Sequence, residues 1–354
     1  MKNNQPNDNQ WSENQSAQSN DKSPFSWHPE LPISNSPLFN RPFRALSAAN
    51  FHLGRGFLWS ATNLFYVAMA IATWLFFGPR LERCVEFEAG WIAQIYAINL
   101  VSTLLLAGGL HLYFYTFKRQ GIERRIDPSE HGRNNPKFFG RAQVWDNMFY
   151  TCVSGVTIWT AYVVLFMWLY ANNLIPWLTW GTSMLGMLWF VLLFPLLVMF
   201  EQTHFYFVHR LLHTKQMWRW HVLHHRNVNI GPWSGFSMHP VEHVLYFSGI
   251  LIHLIVISHP IHMLYNMYFT ALAAVTSHTG YSSLLVKDRA VVDLGDFHHQ
   301  LHHRYFDCNY GNRGVPWDKW FGSFHDGTAE ATQRVREYRG NNAVEQKPRL
   351  QLKG

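Results

Sequence analysis

The chain has 354 residues, of which 48% are hydrophobic, 16% aromatic and only 14% charged, with a formal charge of +7. Ordinary soluble domains carry about 25% charged residues, so a plain soluble enzyme is excluded, and 21 histidines are too many for a plain transmembrane scaffold. The basic residues lie in short loops beside apolar segments, which fits membrane topology and not phosphate binding, so no nucleic-acid partner is expected.

Residues 1–24 contain 14 Asn, Gln or Ser and no apolar run. They predict a disordered stretch without a cleavable signal peptide, inside a polar N-terminal tail assigned to residues 1–50. Four stretches free of Asp, Glu, Lys and Arg follow: Phe57–Phe77, Trp91–Phe117, Phe149–Ala171 and Leu174–Phe200. Each approaches the roughly 20 residues that cross a bilayer as a helix. The first two, with the loop Lys118–Arg141, make a unit over residues 51–142. That loop carries seven basic residues, whereas Arg80 and Arg83 between spans one and two are offset by Glu82, Glu86 and Glu88. The positive-inside bias therefore places both termini, the 118–141 loop and everything after Glu201 in the cytoplasm. The apolar stretch Val244–Ser277 is broken at Ser258-His259-Pro260 into pieces too short for clean crossings, which predicts a re-entrant or interfacial helical hairpin. An all-α membrane protein results: a four-helix transmembrane bundle plus that hairpin, with a cytoplasmic helical cap. A polar tail occupies 328–354.

The cap is where the chemistry concentrates. Sixteen of the 21 histidines fall between His204 and His303. His209 and His213 are four apart; His221, His224 and His225 follow; His299, His302 and His303 repeat that pattern. Residues i, i+3 and i+4 share one helix face, so each group aims its imidazoles one way. Neutral imidazole is a good ligand for iron, zinc or copper, and eight nitrogens exceed what one ion needs, which points to two metals. His278 sits where the hairpin re-emerges, and His239 precedes a proline that carries Glu242 and His243 towards it. Both His239 and His278 join the candidate ligands. Between His204 and His303 the only carboxylates are Glu242, Asp288, Asp293 and Asp296, so the site is nearly all histidine. Glu242 and Asp296 are candidates for orienting imidazole N–H groups, as metal-bound histidine usually requires, with an ordinary surface role as the alternative. His253, His259 and His262 read as core or interfacial residues, and His28, His52, His111, His131 and His325 as ordinary. His204, His243 and His298 stay open between a supporting role and none.

No Gly-x-Ser-x-Gly elbow, P-loop, dinucleotide fingerprint or His-Glu-x-x-His motif occurs. The three scattered cysteines form no Cys-x-x-Cys pair. Redox chemistry would thus draw electrons from another protein. A histidine-rich metal-binding or transport protein without oxygenase activity is the alternative, but the spans lack the mid-bilayer ionisable groups that a relay needs.

The order His-x3-His, His-x2-His-His, His-x2-His-His around hydrophobic spans resembles the membrane sterol desaturase and fatty acid hydroxylase superfamily over roughly Gln143–Gly327. The stretch Phe205-Tyr206-Phe207-Val208-His209-Arg210 and the His239-Pro240-x-Glu242 element add to it. The ending Asn309-Tyr310-Gly311 … Trp317-Asp318-Lys319-Trp320-Phe321-Gly322-Ser323 is similar to sterol C-5 desaturases and C-4 methyl oxidases. The resemblance implies a catalytic region over 143–327 with a non-haem di-iron centre that uses O₂ to hydroxylate or desaturate a membrane lipid. It implies ligands at His209, His213, His221, His224, His225, His278, His299, His302 and His303. Fatty acid 2-hydroxylases have another histidine four residues after the position of His278. Here that residue is Ser282, leaving His239 or a water for the place. With no fused cytochrome b5 domain in the sequence, the implied donor is external, of cytochrome b5, ferredoxin or reductase type. The setting is a bacterial inner membrane or an ER-type membrane.

Overall fold

The computed structural model describes residues 25–40, 42–53, 60–178 and 183–345. In chain order the helices are α1 (Ala45–Leu53), α2 (Ala61–Phe77), α3 (Ala89–Thr116), α4 (Gln143–Ala171), α5 (Met184–Leu212), α6 (Trp218–His225), α7 (Pro240–Phe247) and α8 (Pro260–Ser277). A two-stranded sheet, β1 (Ser283–Val286) and β2 (Arg289–Asp293), separates these from α9 (Phe297–Tyr305), α10 (Trp317–Trp320) and α11 (Ala329–Glu345).

Among the described residues, α3, α4 and α5 are long and apolar enough to cross a membrane, with 28, 29 and 29 residues; α2 is apolar but shorter. Their outward faces carry Phe76, Leu105, Val153, Leu185 and Val191 exposed, a surface that needs an apolar solvent. Widened π-helical turns interrupt α2, α3 and α4, at Thr73–Phe77, Leu104–Gly108, Leu112–Thr116 and Tyr150–Gly155. The turn in α4 brings Ser154 Oγ within 3.0 Å of His243 Nδ1.

The fourth apolar stretch differs from the sequence expectation. The helix starts at Met184, not Leu174, because Pro176 disfavours a helical residue before it. Leu178 N instead donates to Ser258 O at 3.2 Å, tying this segment to the hairpin bend. Ser183 caps the helix through Gly186 N at 3.0 Å, and α5 then runs unbroken through Pro195 to Leu212. Of the first predicted span, Phe57–Trp59 lie outside the described residues.

The 244–277 stretch is a hairpin broken at Ser258-His259. The Pro260 ring fixes the first turn of α8, while His259 Nδ1 accepts from Ile261 N at 3.1 Å and His262 Nδ1 from His259 N at 3.0 Å. The bend reaches the end of α4 remote from the histidine groups, where Tyr170 Oη meets Ser258 Oγ at 2.8 Å. α8 is buried along nearly its whole length, between α2, α4 and α5. Irregular backbone at membrane depth is tolerated where protein surrounds it. The three histidines read as core residues behave so: His253, His259 and His262 are all buried, with His253 Nδ1 on Ser258 Oγ at 2.7 Å and His262 Nε2 on Phe190 O at 2.8 Å.

Three further features lie outside the sequence expectations. The β1–β2 hairpin departs from an all-α chain; apolar Leu284-Leu285-Val286 and Ala290-Val291-Val292 flank a two-residue turn at Lys287 and Asp288, both with positive φ (50° and 62°), as such turns require. Residues 25–40, expected in the tail, carry apolar side chains that pack on the cap: Phe25 meets Phe297 edge-on at 5.2 Å, and Ile33 joins Ile126, Phe297 and Leu301. The polar C-terminal segment forms α11 through Glu345, anchored by buried Ala331.

Candidate metal centre

Four elements deliver the histidines. α5 carries His209 at its end and His213 as its C-cap; α6 carries His221, His224 and His225; His278 caps α8; α9 carries His299, His302 and His303. α6 follows at once because Thr214 O accepts from Trp218 N at 2.9 Å, turning the chain back on α5. Asp146, fully buried, grips Arg226 with both oxygens at 2.9 and 2.7 Å and fixes α6 against α4. Gly235 is required for α8 to come close: a Cβ there would collide with Ala274 O and the His278 ring.

The nine rings sort into two groups, one of His209, His213, His221, His225 and His302, the other of His224, His278, His299 and His303; within each, the ligand atoms all lie within 4.8 Å of one another. The adjacent pairs are divided between them. His224 and His225 have ring planes 82° apart, and His302 and His303 87° apart, because successive residues on a helix point about 100° from each other. Each His-His doublet on a helix thus divides its two rings between the two groups.

The hydrogen bonds assign the tautomers. Nδ1–H donates to Tyr310 O from His209 (2.7 Å), to Cys308 O from His302 (2.6 Å), to Asn227 O from His303 (3.1 Å), to Ala274 O from His278 (2.8 Å) and to Ser237 O from His224 (3.3 Å). His221 Nδ1–H donates to Glu242 Oε1 at 2.7 Å. In these six rings the lone pair is thereby left on Nε2, so lone pairs face each other between His209 and His221 and between His278 and His303, both at 3.1 Å; the Nε2 atoms of His213 and His302 lie 3.1 and 3.0 Å from that of His225, and His299 Nε2 lies 3.1 Å from those of His278 and His303. Lone pairs cannot hydrogen-bond to lone pairs, and such an array is repulsive unless a cation lies among them. Nitrogens at right angles about an ion with bonds of about 2.1 Å are about 3.0 Å apart, so the spacing fits two ions. Burial also keeps these rings neutral: it holds His221, His225, His278, His299, His302 and His303 well below the usual imidazole range and His224 down to about 4.

Of the ten expected ligands, His239 stands apart from both groups. Its Nδ1 accepts from Val241 N at 3.2 Å, capping the start of α7, a role that its position before Pro240 favours. Of the two carboxylates, Glu242 reaches His221 as above. Asp296 is instead the cap of α9, accepting from His298 N at 3.0 Å. Among the open cases, His243 pairs with Ser154 and His204 Nε2 with Ser248 Oγ at 2.9 Å; neither ring nitrogen of buried His298 has a partner among the described residues.

Sequence reading missed the carbonyls that orient the rings, since any residue supplies one. It also missed what holds them. Asp318, buried, accepts from Tyr310 N at 2.8 Å, Gly311 N at 2.7 Å and Ser323 Oγ at 2.7 Å, and so fixes the turn whose carbonyl orients His209. Asp318→Ala is expected to destabilise the fold by about 3 kcal/mol, the cost of leaving buried donors unpaired. It should also lower metal content, and thermal melting with metal analysis checks both.

A cavity of about 150 Å³ adjoins the groups, lined by His209, His221, His224, His278 and His299 on one side and Phe205, Val208 and Phe269 on the other. His213, His225, His302 and His303 do not line it; Trp218 and Phe306 pack on His225, at 5.4 and 4.9 Å between ring centroids. Glu201, buried in α5, also faces the cavity and accepts from Asn266 Nδ2 (2.9 Å) and Thr270 Oγ1 (3.2 Å). A lone carboxylate eight residues before His209 was the signal for it, since i and i+8 lie on nearly one face.

Comparison with known proteins adds to this geometry. A family model described as fatty acid hydroxylase matches residues 194–323. Similar proteins include a Delta(7)-sterol 5(6)-desaturase of Candida dubliniensis, 30% identical over 132 residues (37% of this chain, 33% of that protein). Another Delta(7)-sterol 5(6)-desaturase, from Gibberella zeae, is 29% identical over 147 residues (39% and 43%). Methylsterol monooxygenase 1 of Gallus gallus is 30% identical over 141 residues (38% and 47%). The chain thus spans a third to a half of the length of these relatives. No solved structure matches it.

Proposed function

We propose that this chain, whose residues 194–323 match a family model described as fatty acid hydroxylase and which is similar to sterol 5(6)-desaturases and a methylsterol monooxygenase, is a membrane-bound di-iron oxidoreductase that hydroxylates or desaturates a lipid of sterol or fatty-acyl type. The observation that carries the reading is the pair of histidine groups, with Nε2 lone pairs converging at about 3.1 Å beside an apolar cavity. His209, His213, His221, His225 and His302 would hold one iron, and His224, His278, His299 and His303 the other. Two irons there would supply O₂ activation and oxidation of an unactivated C–H bond. The chain supplies the rest. Its carbonyls and Glu242 fix the imidazole tautomers, the walls of α5 and α8 exclude water, and Phe205, Val208 and Phe269 hold the apolar part of the lipid.

The overall stoichiometry requires two electrons and two protons from outside. Hydroxylation places one oxygen atom of O₂ in the product and the other in water; desaturation removes two hydrogens from the lipid and gives two waters. An external carrier of cytochrome b5, ferredoxin or reductase type provides the electrons. In this reading α2 to α5 form a four-helix transmembrane bundle. The catalytic region spans 143–327, with its helical cap and both termini on the cytoplasmic side of a bacterial inner membrane or an ER-type membrane. Lipid analysis of cells expressing the chain tests the proposal. A new lipid heavier by one oxygen or lighter by two hydrogens is expected, with lipid-dependent O₂ uptake by the purified protein. Metal flux across vesicles without either product would favour transport.

A further inference from the structure

Away from the histidines, α1 and α10 border an open hollow of about 790 Å³. Its polar wall residues are Asn40, Arg44, Ser47 and Lys319, with Trp320 beside them. The walls are tied together. Ser36 N donates to Arg313 O at 2.8 Å, Ser36 Oγ meets His52 Nε2 at 2.6 Å, and Lys319 Nζ donates to Asn40 Oδ1 at 3.0 Å. Segment 36–40 is thereby held between α1 and the chain around α10.

The charge of the hollow has one sign. No carboxylate lines it, and from Leu31 to Ser60 the sequence has three arginines and no Asp or Glu. Asp318, next to Lys319, is buried and engaged with Tyr310 N, Gly311 N and Ser323 Oγ. The Arg44 guanidinium has no partner among the described residues.

Its level follows from α5. That helix has 29 residues and is about 43 Å long, against an apolar layer of about 30 Å. Counted from exposed Met184, the layer ends near His204, so exposed Phe207 and Leu211 stand at head-group level. α10 packs there, a depth that tryptophan favours. Trp317 Nε1 donates to Thr203 Oγ1 at 3.1 Å, and its ring centroid lies 5.3 Å from that of Phe207. Exposed Trp320 is 5.4 Å from Trp317, and exposed Phe321 is 6.4 Å from Phe207. An aromatic track therefore runs from the hollow to the outward face of α5.

We propose that the hollow binds the head group of an anionic phospholipid from the surrounding leaflet. The phosphate lies between Arg44 and Lys319, Ser47 Oγ donates a further hydrogen bond, and the acyl chains follow Trp320, Phe321 and Phe207 along α5. The inference requires only that α5 crosses a membrane, and its test involves neither metal nor turnover. Full-length protein in a neutral detergent is titrated with fluorescent-tailed phosphatidylglycerol and phosphatidylcholine, which share a phosphate and differ in net charge. Wild type is expected to bind phosphatidylglycerol about ten-fold more tightly, since each cation near a head group adds to the attraction. Arg44→Gln combined with Lys319→Gln should bring the two lipids within about two-fold of each other. Both side chains are exposed, so the melting temperature should not change. Arg133→Gln, in the basic 118–141 loop, keeps the preference, and inorganic phosphate at a concentration equal to the lipid's does not displace it.

Equal binding of the two lipids by wild type overturns the proposal, as does an unchanged preference in the folded double variant. Displacement by inorganic phosphate makes the hollow a free-anion site and overturns the lipid assignment. A loss in Arg133→Gln as large as in the double variant assigns the attraction to the basic face as a whole and overturns the site.

Discussion

His225→Ala is expected to lose the iron of the five-histidine group and to lower activity by at least about 100-fold, whereas His253→Ala keeps both. The two residues are alike in composition and burial, at 3% and 0% exposure, and differ in what surrounds them. His225 Nε2 lies 3.1 Å from His213 and 3.0 Å from His302, so it links α6 to both α5 and α9 within one group. His253 Nδ1 meets the hydroxyl of Ser258 in the hairpin bend, at the far end of α4 from the metal groups. Metal analysis of the two purified variants, with circular dichroism to establish that both are folded, decides the matter. Full iron content in His225→Ala would remove it from the ligand set.

The second large effect concerns a residue that touches no metal. Glu242→Ala should lower metal affinity or activity by about 10- to 100-fold, as loss of a ring-orienting partner does. Glu242 Oε1 accepts the His221 Nδ1 proton at 2.7 Å, and α7 holds the carboxylate there with 2% exposure. Without it the imidazole is free to turn or to take the other tautomer, presenting N–H where a lone pair is needed. Glu242→Gln keeps an acceptor oxygen in the same place, so it should retain most of the metal while losing the negative charge. Equal losses in both variants would assign the effect to charge; no loss in Glu242→Ala would make Glu242 a packing residue. Metal titration of apo-protein separates these outcomes.

What could be read from the sequence was whatever depends on spacing along one helix. The i, i+3, i+4 pattern of His221, His224 and His225 puts three rings on one side of α6, and the same pattern recurs in α9. The break at Pro260 follows from a missing N–H and a fixed φ. What spacing cannot convey is partition between partners. That His224 joins His278 and His303 while His225 joins His213 and His302 is set by how α6, α8 and α9 cross. Likewise nothing local distinguishes His239, whose ring caps its own helix, from His278, whose ring caps one helix and still faces another. Asp296 and Glu242 look equivalent as scarce acids, yet the first satisfies the α9 N-terminus and the second an imidazole. The β1–β2 hairpin was hidden because Lys287-Asp288 is a weaker turn signal than Asn-Gly. The late start of α5 was hidden because a chargeless loop and a chargeless helix have the same hydropathy.

The central claim is that nine histidines, drawn from four elements, form two adjoining ion sites. The measurement closest to it is the iron content of the purified full-length chain, counted against protein by amino-acid analysis. Two irons per chain is the predicted result. One iron or none, in protein that is folded and active in lipid oxidation, would contradict it.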